Sequence, residues 1–294
     1  MSPWPDIAVQ ISASINAPFD VEKTSSISGG CINQAYCIGD GKHSFFVKLN
    51  KTESLQMFEA EATGLQEINN SHTLRVPTPV CWGRNEANAW LVLEYIEMDN
   101  TTKSGSAALG TGLAEMHRRS FEKFGWTRNN TIGSTPQINK FSPDWIQFWR
   151  KHRLGYQLQL AKINGYTGKL LKQGEYLMAE LDTFFPGTPQ VASLLHGDLW
   201  SGNYSYDLAG YPVLYDPAIY YGDRETDLAM TELFGGFSTT FYAAYCEAYP
   251  LDPGYKVRKT LYNLYHILNH LNLFGRSYLH QAEHMTEKLL TEIH

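Results

Sequence analysis

Cysteine is scarce: Cys31, Cys37, Cys81 and Cys246 are the only four in 294 residues, and their spacing makes neither a disulfide framework nor paired metal ligands. Such usage suits a reduced, cytoplasmic protein. No apolar run approaches the roughly 20 residues that span a bilayer. The opening stretch, MSPWPDIAVQISASIN, lacks the basic region, continuous apolar core and small-residue cleavage site of a secretory signal. No membrane partner is therefore expected. Basic residues are also in deficit, with 24 Lys and Arg against 30 Asp and Glu and a formal net charge of −6. Without a basic patch, no electrostatic argument favours nucleic acid. Internal repeats and low-complexity tracts are lacking too.

What is present is globular, with 43% hydrophobic and 18% charged residues. The length suits one large domain or two lobes. Ile7, Ile11 and Ile15 at helical spacing predict a short helix over 6–16, with Asp6 as its N-cap. CINQAYCIG and HSFFVKLN read as strands flanking the turn dipeptide Asp40-Gly41. SLQMFEAEATGLQEIN reads as a helix, RVPTPVCWG as a proline-interrupted edge, and AWLVLEYIEM as a strongly apolar strand. From about residue 103 the chain becomes helical, with long helices over 143–163 and 168–184 and a predominantly helical segment after 223. The expected division is a β-rich lobe over 1–98 with one main helix, and a larger α-helical lobe over 99–294 that carries a small hairpin.

Chemistry concentrates in LLHGDLWSGN, residues 194–203, and in VLYD, which ends at Asp216. Each acid closes an apolar strand, so the carboxylates of Asp198 and Asp216 are expected to emerge together at a sheet edge, with Asn203 nearby. Hard oxygen donors of this kind suit Mg²⁺, which takes one or two carboxylates and completes its shell with phosphate oxygens. Taken singly, each of these residues also reads as an ordinary turn or cap residue.

The order Asp198-x4-Asn203 followed by Asp216 resembles the catalytic loop and metal-binding aspartate of the protein-kinase-like fold. The spellings HGD and DPA are those of the aminoglycoside and choline phosphotransferase branch. LLHGDLWSGN, DPAIYYGDRETDLAMTELFGGF and LYHILNHLNLFG together resemble the fructosamine kinase, or ketosamine-3-kinase, family, from near Gly29 to about residue 278. The fold class this implies is α+β: a bilobal protein-kinase-like fold with a small β-rich N-lobe and a larger α-helical C-lobe.

The resemblance implies roles residue by residue. Asp198 is the catalytic base, and Asn203 and Asp216 hold Mg²⁺ on the phosphates of ATP. Lys48 is the phosphate-binding lysine and Glu61 its ion-pair partner, with Glu59 the competing acid. Gly29 and Gly30 lie in the nucleotide-covering loop, although SSISGGCIN lacks three spaced glycines. Glu94, Tyr95 and Ile96 match the hinge, where main-chain groups read adenine. Trp200 either walls the acceptor pocket or packs; Asp223 and Arg224 face the acceptor; Asp227 braces the catalytic loop. Cys31 matches a loop cysteine that supports redox-sensitive dimers, so the chain is expected as a monomer or such a homodimer. His266 and His270, four apart on a helix, are read as packing rather than zinc ligands, and IGSTPQIN receives no role.

The activity so implied is ATP-dependent phosphorylation of a sugar hydroxyl, O3, of a ketosamine on a small amine or a protein lysine, which leads to deglycation. Two alternatives remain open from the residues: an aminoglycoside- or choline-like phosphotransferase, and a non-catalytic nucleotide-binding scaffold. Loss of Lys48, Asp198, Asn203 or Asp216 would have favoured the scaffold, and all four are present.

Overall fold

Alternation along one strand organises the first part of the chain. Phe45, Val47 and Leu49 of β3 (Ser44–Lys51) are buried in one cluster with Trp90 and Val92 of β5 (Asn88–Glu94) and with Ile7 and Ile11 of helix α1 (Trp4–Ile15). Side chains on a strand alternate between faces, so Lys48 projects to the opposite face, where helix α2 (Leu55–Asn70) supplies Glu61. With β1 (Lys23–Ile27), β2 (Gln34–Gly39) and β4 (Pro79–Arg84), these strands form an antiparallel sheet of order β1-β2-β3-β5-β4. The β2–β3 turn forms as expected: Asp40 Oδ1 accepts from the amides of Lys42 and His43, and Gly41 takes φ +84°. Asp6, in contrast, does not cap α1. The helix starts earlier, at Trp4, with proline in its first turn, and Asp6 accepts from Asn85 instead (2.7 Å).

The structure is a computed structural model that describes residues 2–28, 32–99, 105–187 and 189–293. It contains two compact units, Met1–Gly105 with Tyr204–Pro217, and Ser106–Asn203 with Ala218–His294. The first unit therefore extends beyond the expected boundary after residue 98 and takes in the hairpin expected in the helical lobe. Hydrogen bonding explains the difference. Strand Tyr204–Asp207 pairs with Met98–Asp99 as well as with Pro212–Leu214. Arg75 then donates to Asp207 (2.5 Å), while its carbonyl accepts from the Leu214 amide (2.9 Å). Strand Ala192–Leu195, which leads to Asp198, belongs to a different sheet with Tyr220–Gly222 and Ser120–Phe121. The two acids thus close strands of separate sheets, and the expected common sheet edge is not formed.

The second unit is built from α3 (Ser106–His117), α4 (Trp145–Trp149), α5 (Gly155–Ile163), α6 (Lys169–Ala179), α7 (Glu225–Leu233), α8 (Thr239–Ala248), α9 (Tyr255–Phe274) and α10 (Leu279–Thr291). The single helix expected over 143–163 is interrupted between α4 and α5 by a π-helical turn, Arg150–Leu154. The wider turn goes with a fully buried Arg153, whose guanidinium lies over the rings of Tyr220 (4.0 Å) and Phe148 (4.6 Å). Much of the core is aromatic: Trp145, Trp149 and Tyr262 pack with centroids 4.9–6.1 Å apart. None of the described helices is long and apolar enough to cross a membrane.

Helix α9 carries a pH liability. His266 is buried, and burial pushes its imidazole down to about 3, with His270 adding to the effect. Below about pH 6.5 the unfolded chain binds a proton at this residue that the folded chain does not. Its contribution to stability is therefore fully present above about 6.5 and is lost as pH falls towards about 3, reaching roughly 2 kcal/mol by pH 5. Thermal melts at pH 7 and pH 5 should show a smaller acid-induced drop for His266→Leu than for the wild type. Equal drops would mean that His266 does not set this dependence.

Candidate active site

In the first unit, three charged groups meet. Lys48 Nζ lies 2.5 Å from Glu61 Oε1 and 2.7 Å from Asp216 Oδ1. Glu61, not Glu59, is thus the acid at the lysine. Burial works against the Lys48 charge, but the carboxylates of Asp216 and Glu61 outweigh it and hold the ammonium above its usual range. Burial pushes the Glu61 carboxyl up, opposed by Lys48. Asp216 is the accessible member, with 48% of its side chain exposed. It takes φ +57°, a conformation that an aspartate tolerates and a β-branched residue does not.

The segment expected as the hinge follows the last residue of β5. β5 ends at Glu94, and residues 95–97 carry no regular structure before Met98–Asp99. The Glu94 carboxylate is occupied by Arg75 (2.9 Å) and the Thr78 amide (3.2 Å). Ile96 is buried and Tyr95 exposed. Gly29, Gly30 and Cys31 lie outside the described residues.

In the second unit, strand Ala192–Leu195 runs into His196-Gly197-Asp198 and stops. Gly197 takes φ +83°, and a Cβ there would collide with the Ala218 carbonyl, so only glycine fits this turn. The turn exposes two consecutive amides, and the buried Asp227 carboxylate in the first turn of α7 accepts both, from His196 (2.7 Å) and Gly197 (2.8 Å). His117 Nε2 lies 3.2 Å from the same carboxylate, and its Nδ1 lies 2.8 Å from the Tyr245 hydroxyl. Burial pushes the His117 imidazole down, so the neutral ring donates to Asp227 and accepts from Tyr245.

Asp198 is half-buried and is tied to Asn203. The Asn203 amide donates to the Asp198 carbonyl (2.8 Å) and to its carboxylate Oδ2 (3.1 Å), which leaves Asn203 Oδ1 as an oxygen donor. Asn203 Oδ1 in this unit and the accessible Asp216 carboxylate in the first are each hard oxygen donors of the type Mg²⁺ takes. No group of three or more His, Cys, Asp or Glu suited to a metal is present among the described residues. Trp200 is 37% exposed. Its ring covers Gly202, where a Cβ would strike it, and meets Phe234 edge-on at 6.3 Å.

Two expected substrate residues have other partners. Asp223 is buried, accepting from the Tyr262 hydroxyl (2.5 Å) and the Glu225 amide (3.0 Å). Arg224 donates to the Tyr245 hydroxyl (2.9 Å) and to the carbonyls of Tyr249 and Pro250, with Tyr249's ring 3.6 Å beneath it. Both side chains are thus engaged in hydrogen bonds within the unit. Their polarity next to the motif suggested a substrate role, but long-range partners claim them first. His266 is buried, and His270 donates from Nδ1 to the His266 carbonyl (2.8 Å). Sequence reasoning missed His117 and Tyr245, because nothing local marks residues that act across more than a hundred positions.

These features can be set beside known proteins. The fructosamine kinase family model matches residues 3–292. A Synechocystis protein named "Probable ketoamine kinase slr1563" is 45% identical over 290 residues, covering 98% of this chain and 97% of its own length. The chloroplastic protein-ribulosamine 3-kinase of Arabidopsis thaliana is 42% identical over 265 residues, covering 89% of this chain and 81% of its own. Among solved structures, a "Putative fructosamine-3-kinase" from Haemophilus somnus 129PT matches with TM-score 0.90 at 27% identity, over 98% of this chain and 97% of that one. The aminoglycoside phosphotransferase APH(4)-Ia matches with TM-score 0.64 at 14% identity, over 97% and 98% of the two chains, a likeness of fold alone. By sequence and by fold, this chain is a member of the fructosamine kinase family.

Proposed function

We propose that this protein transfers the γ-phosphoryl group of ATP to a sugar hydroxyl, O3, of a ketosamine carried on a small amine or a protein lysine. The observation that carries the reading is the Asp198–Asn203 pair, held at a fixed turn by Asp227. A base and an oxygen ligand are there locked together in the order a phosphotransfer loop requires. The names of the relatives, ketoamine kinase and ribulosamine 3-kinase, support the acceptor class.

In this reading Lys48, kept charged by Asp216 and Glu61, binds ATP phosphate, and Gly29 and Gly30 belong to the nucleotide-covering loop. Main-chain groups of Glu94, Tyr95 and Ile96 receive the adenine. Asn203 and Asp216 hold Mg²⁺, whose charge offsets that of the phosphates. Asp198 orients the acceptor hydroxyl and takes its proton. The hydroxyl oxygen bonds to the γ-phosphorus as the bond between that phosphorus and the bridging oxygen breaks, releasing ADP. Little covalent work falls to the protein, so positioning and charge are its main contributions. Trp200, whose ring lies over Gly202, offers a ring face to the acceptor. The phosphorylated adduct is labile, and its breakdown frees the amine. A reducing cytoplasmic setting belongs to the same reading and is supported by the free thiols of Cys37, Cys81 and Cys246.

ADP release measured with a panel of ketosamines, aminoglycosides and choline is expected to depend on a ketosamine, with NMR placing the phosphate on O3. Selective turnover of another alcohol would overturn the acceptor assignment. Asp198→Asn should lower kcat by about a thousandfold or more while ATP binding persists; unchanged turnover in a folded variant rules Asp198 out as the base. Lys48→Met should weaken ATP binding at least tenfold by calorimetry. It should also lower the melting temperature, because Glu61 loses its buried partner.

A further inference from the structure

The segment Asn130–Asn139, with no role in the function above, forms a short hairpin, Asn130–Ile132 with Thr135–Gln137, whose polar side chains turn inward. Gln137 is 1% exposed, Asn139 fully buried and Asn130 9% exposed. Every hydrogen-bonding group of the Gln137 amide is used. Its Oε1 accepts from the Tyr265 hydroxyl (2.8 Å), and its Nε2 donates to Asn130 Oδ1 (2.9 Å) and to the Ala218 carbonyl (2.9 Å). Asn130 Nδ2 donates to the next carbonyl, that of Ile219 (2.8 Å). Behind them, Asn139 Nδ2 donates to Asn130 Oδ1 (2.9 Å), and Arg153 Nη2 donates to Asn139 Oδ1 (2.8 Å). The network thus reaches from a buried cation to two adjacent main-chain carbonyls.

The grip matters because of what Ala218 touches. Its amide donates to the His196 carbonyl (2.9 Å), and its carbonyl is the group that a side chain at Gly197 would strike. Ala218 is therefore pressed against the turn that aims Asp198, and the carbonyl that meets Gly197 is the one that Gln137 holds. Asp227 fixes the amides of that turn and Ala218 its carbonyl and shape, but Ala218 is only as steady as the amide that holds it. Buried, fully satisfied polar networks specify one arrangement, since any shift strands a donor or acceptor.

We propose that Gln137, oriented by Tyr265 and supported by Asn130, is a positioning residue for the catalytic loop: it holds the Ala218 carbonyl so that the Gly197 turn presents Asp198 in the reactive geometry. The proposal rests on the reading of Asp198 as the base. Gln137 touches no reacting atom, so its loss should act on turnover rather than on binding.

Gln137→Met keeps the length of the side chain and removes its donors. Expected, with the best ketosamine acceptor, is a fall in kcat of at least tenfold with KM for ATP and acceptor within threefold. Deuterium exchange over 194–203 should also quicken, with exchange over Leu279–Thr291 unchanged. A folded variant with kcat within twofold of the wild type, or with unaltered exchange over 194–203, overturns the proposal. Should Gln137→Met not fold, Gln137→Glu supplies the reading through its pH profile. A protonated carboxyl can donate to Ala218 and a carboxylate cannot, so kcat relative to wild type should fall as pH rises; a constant ratio across pH 6–9 overturns it. If the wild type turns over no acceptor at all, the functional reading has failed, and exchange over 194–203 still decides whether Gln137 steadies the loop.

Discussion

One buried carboxylate accepting two consecutive amides organises the second unit. Strand Ala192–Leu195 ends at a left-handed glycine, and a strand that turns in this way leaves main-chain donors without partners. Asp227 supplies an anion in the first turn of a helix, where the helix dipole favours it. Burial works against its charge, yet the donors around it outweigh that, and its carboxyl stays below the usual range. From that point a chain of donors runs outward: His117 to Asp227, Tyr245 to His117, Arg224 to Tyr245. Each link satisfies the next, so the turn carrying Asp198 is set by groups drawn from α3, α7 and α8.

The first unit solves a different problem, holding charges at low exposure without neutralising them. Lys48 lies on a central strand, opposite the face buried by α1, and so meets the helix that follows it. Two carboxylates around one ammonium keep the lysine protonated, while only Asp216 remains accessible. A cation held this way is ready to meet phosphate, and an accessible carboxylate beside it is suited to a hard metal ion.

Legibility followed the range of the interactions. Lys48 and Glu61, thirteen positions apart on a strand and the next helix, are legible through the family resemblance, and strand alternation explains why they meet. The Asp198–Asn203 tie spans five positions and was legible from its spacing. Asp227 was recognised as a brace through the family resemblance, but the residues completing it were not: His117 is 110 positions away and Tyr245 lies on another helix. Asp223 and Arg224 looked available because they are charged and adjoin the motif, whereas Tyr262, Tyr245 and two carbonyls take their hydrogen bonds. The hairpin after Asn203 was assigned by chain order, while its pairing with Met98–Asp99 and Arg75 decides where it belongs.

The amino-acid sequence by itself determined which groups are available: a lysine on an apolar strand, an acid and an amide five apart after a glycine turn, and a family pattern that spans nearly the whole chain. These are consequences of local period and spacing, which a linear chain displays directly. Tertiary structure alone decided which polar side chains are free and which are consumed as supports, because a buried donor or acceptor must find a partner wherever the fold brings one. That rule ties Arg224 to Tyr245 and to main-chain carbonyls. It also turned an unassigned loop into the clamp on Ala218.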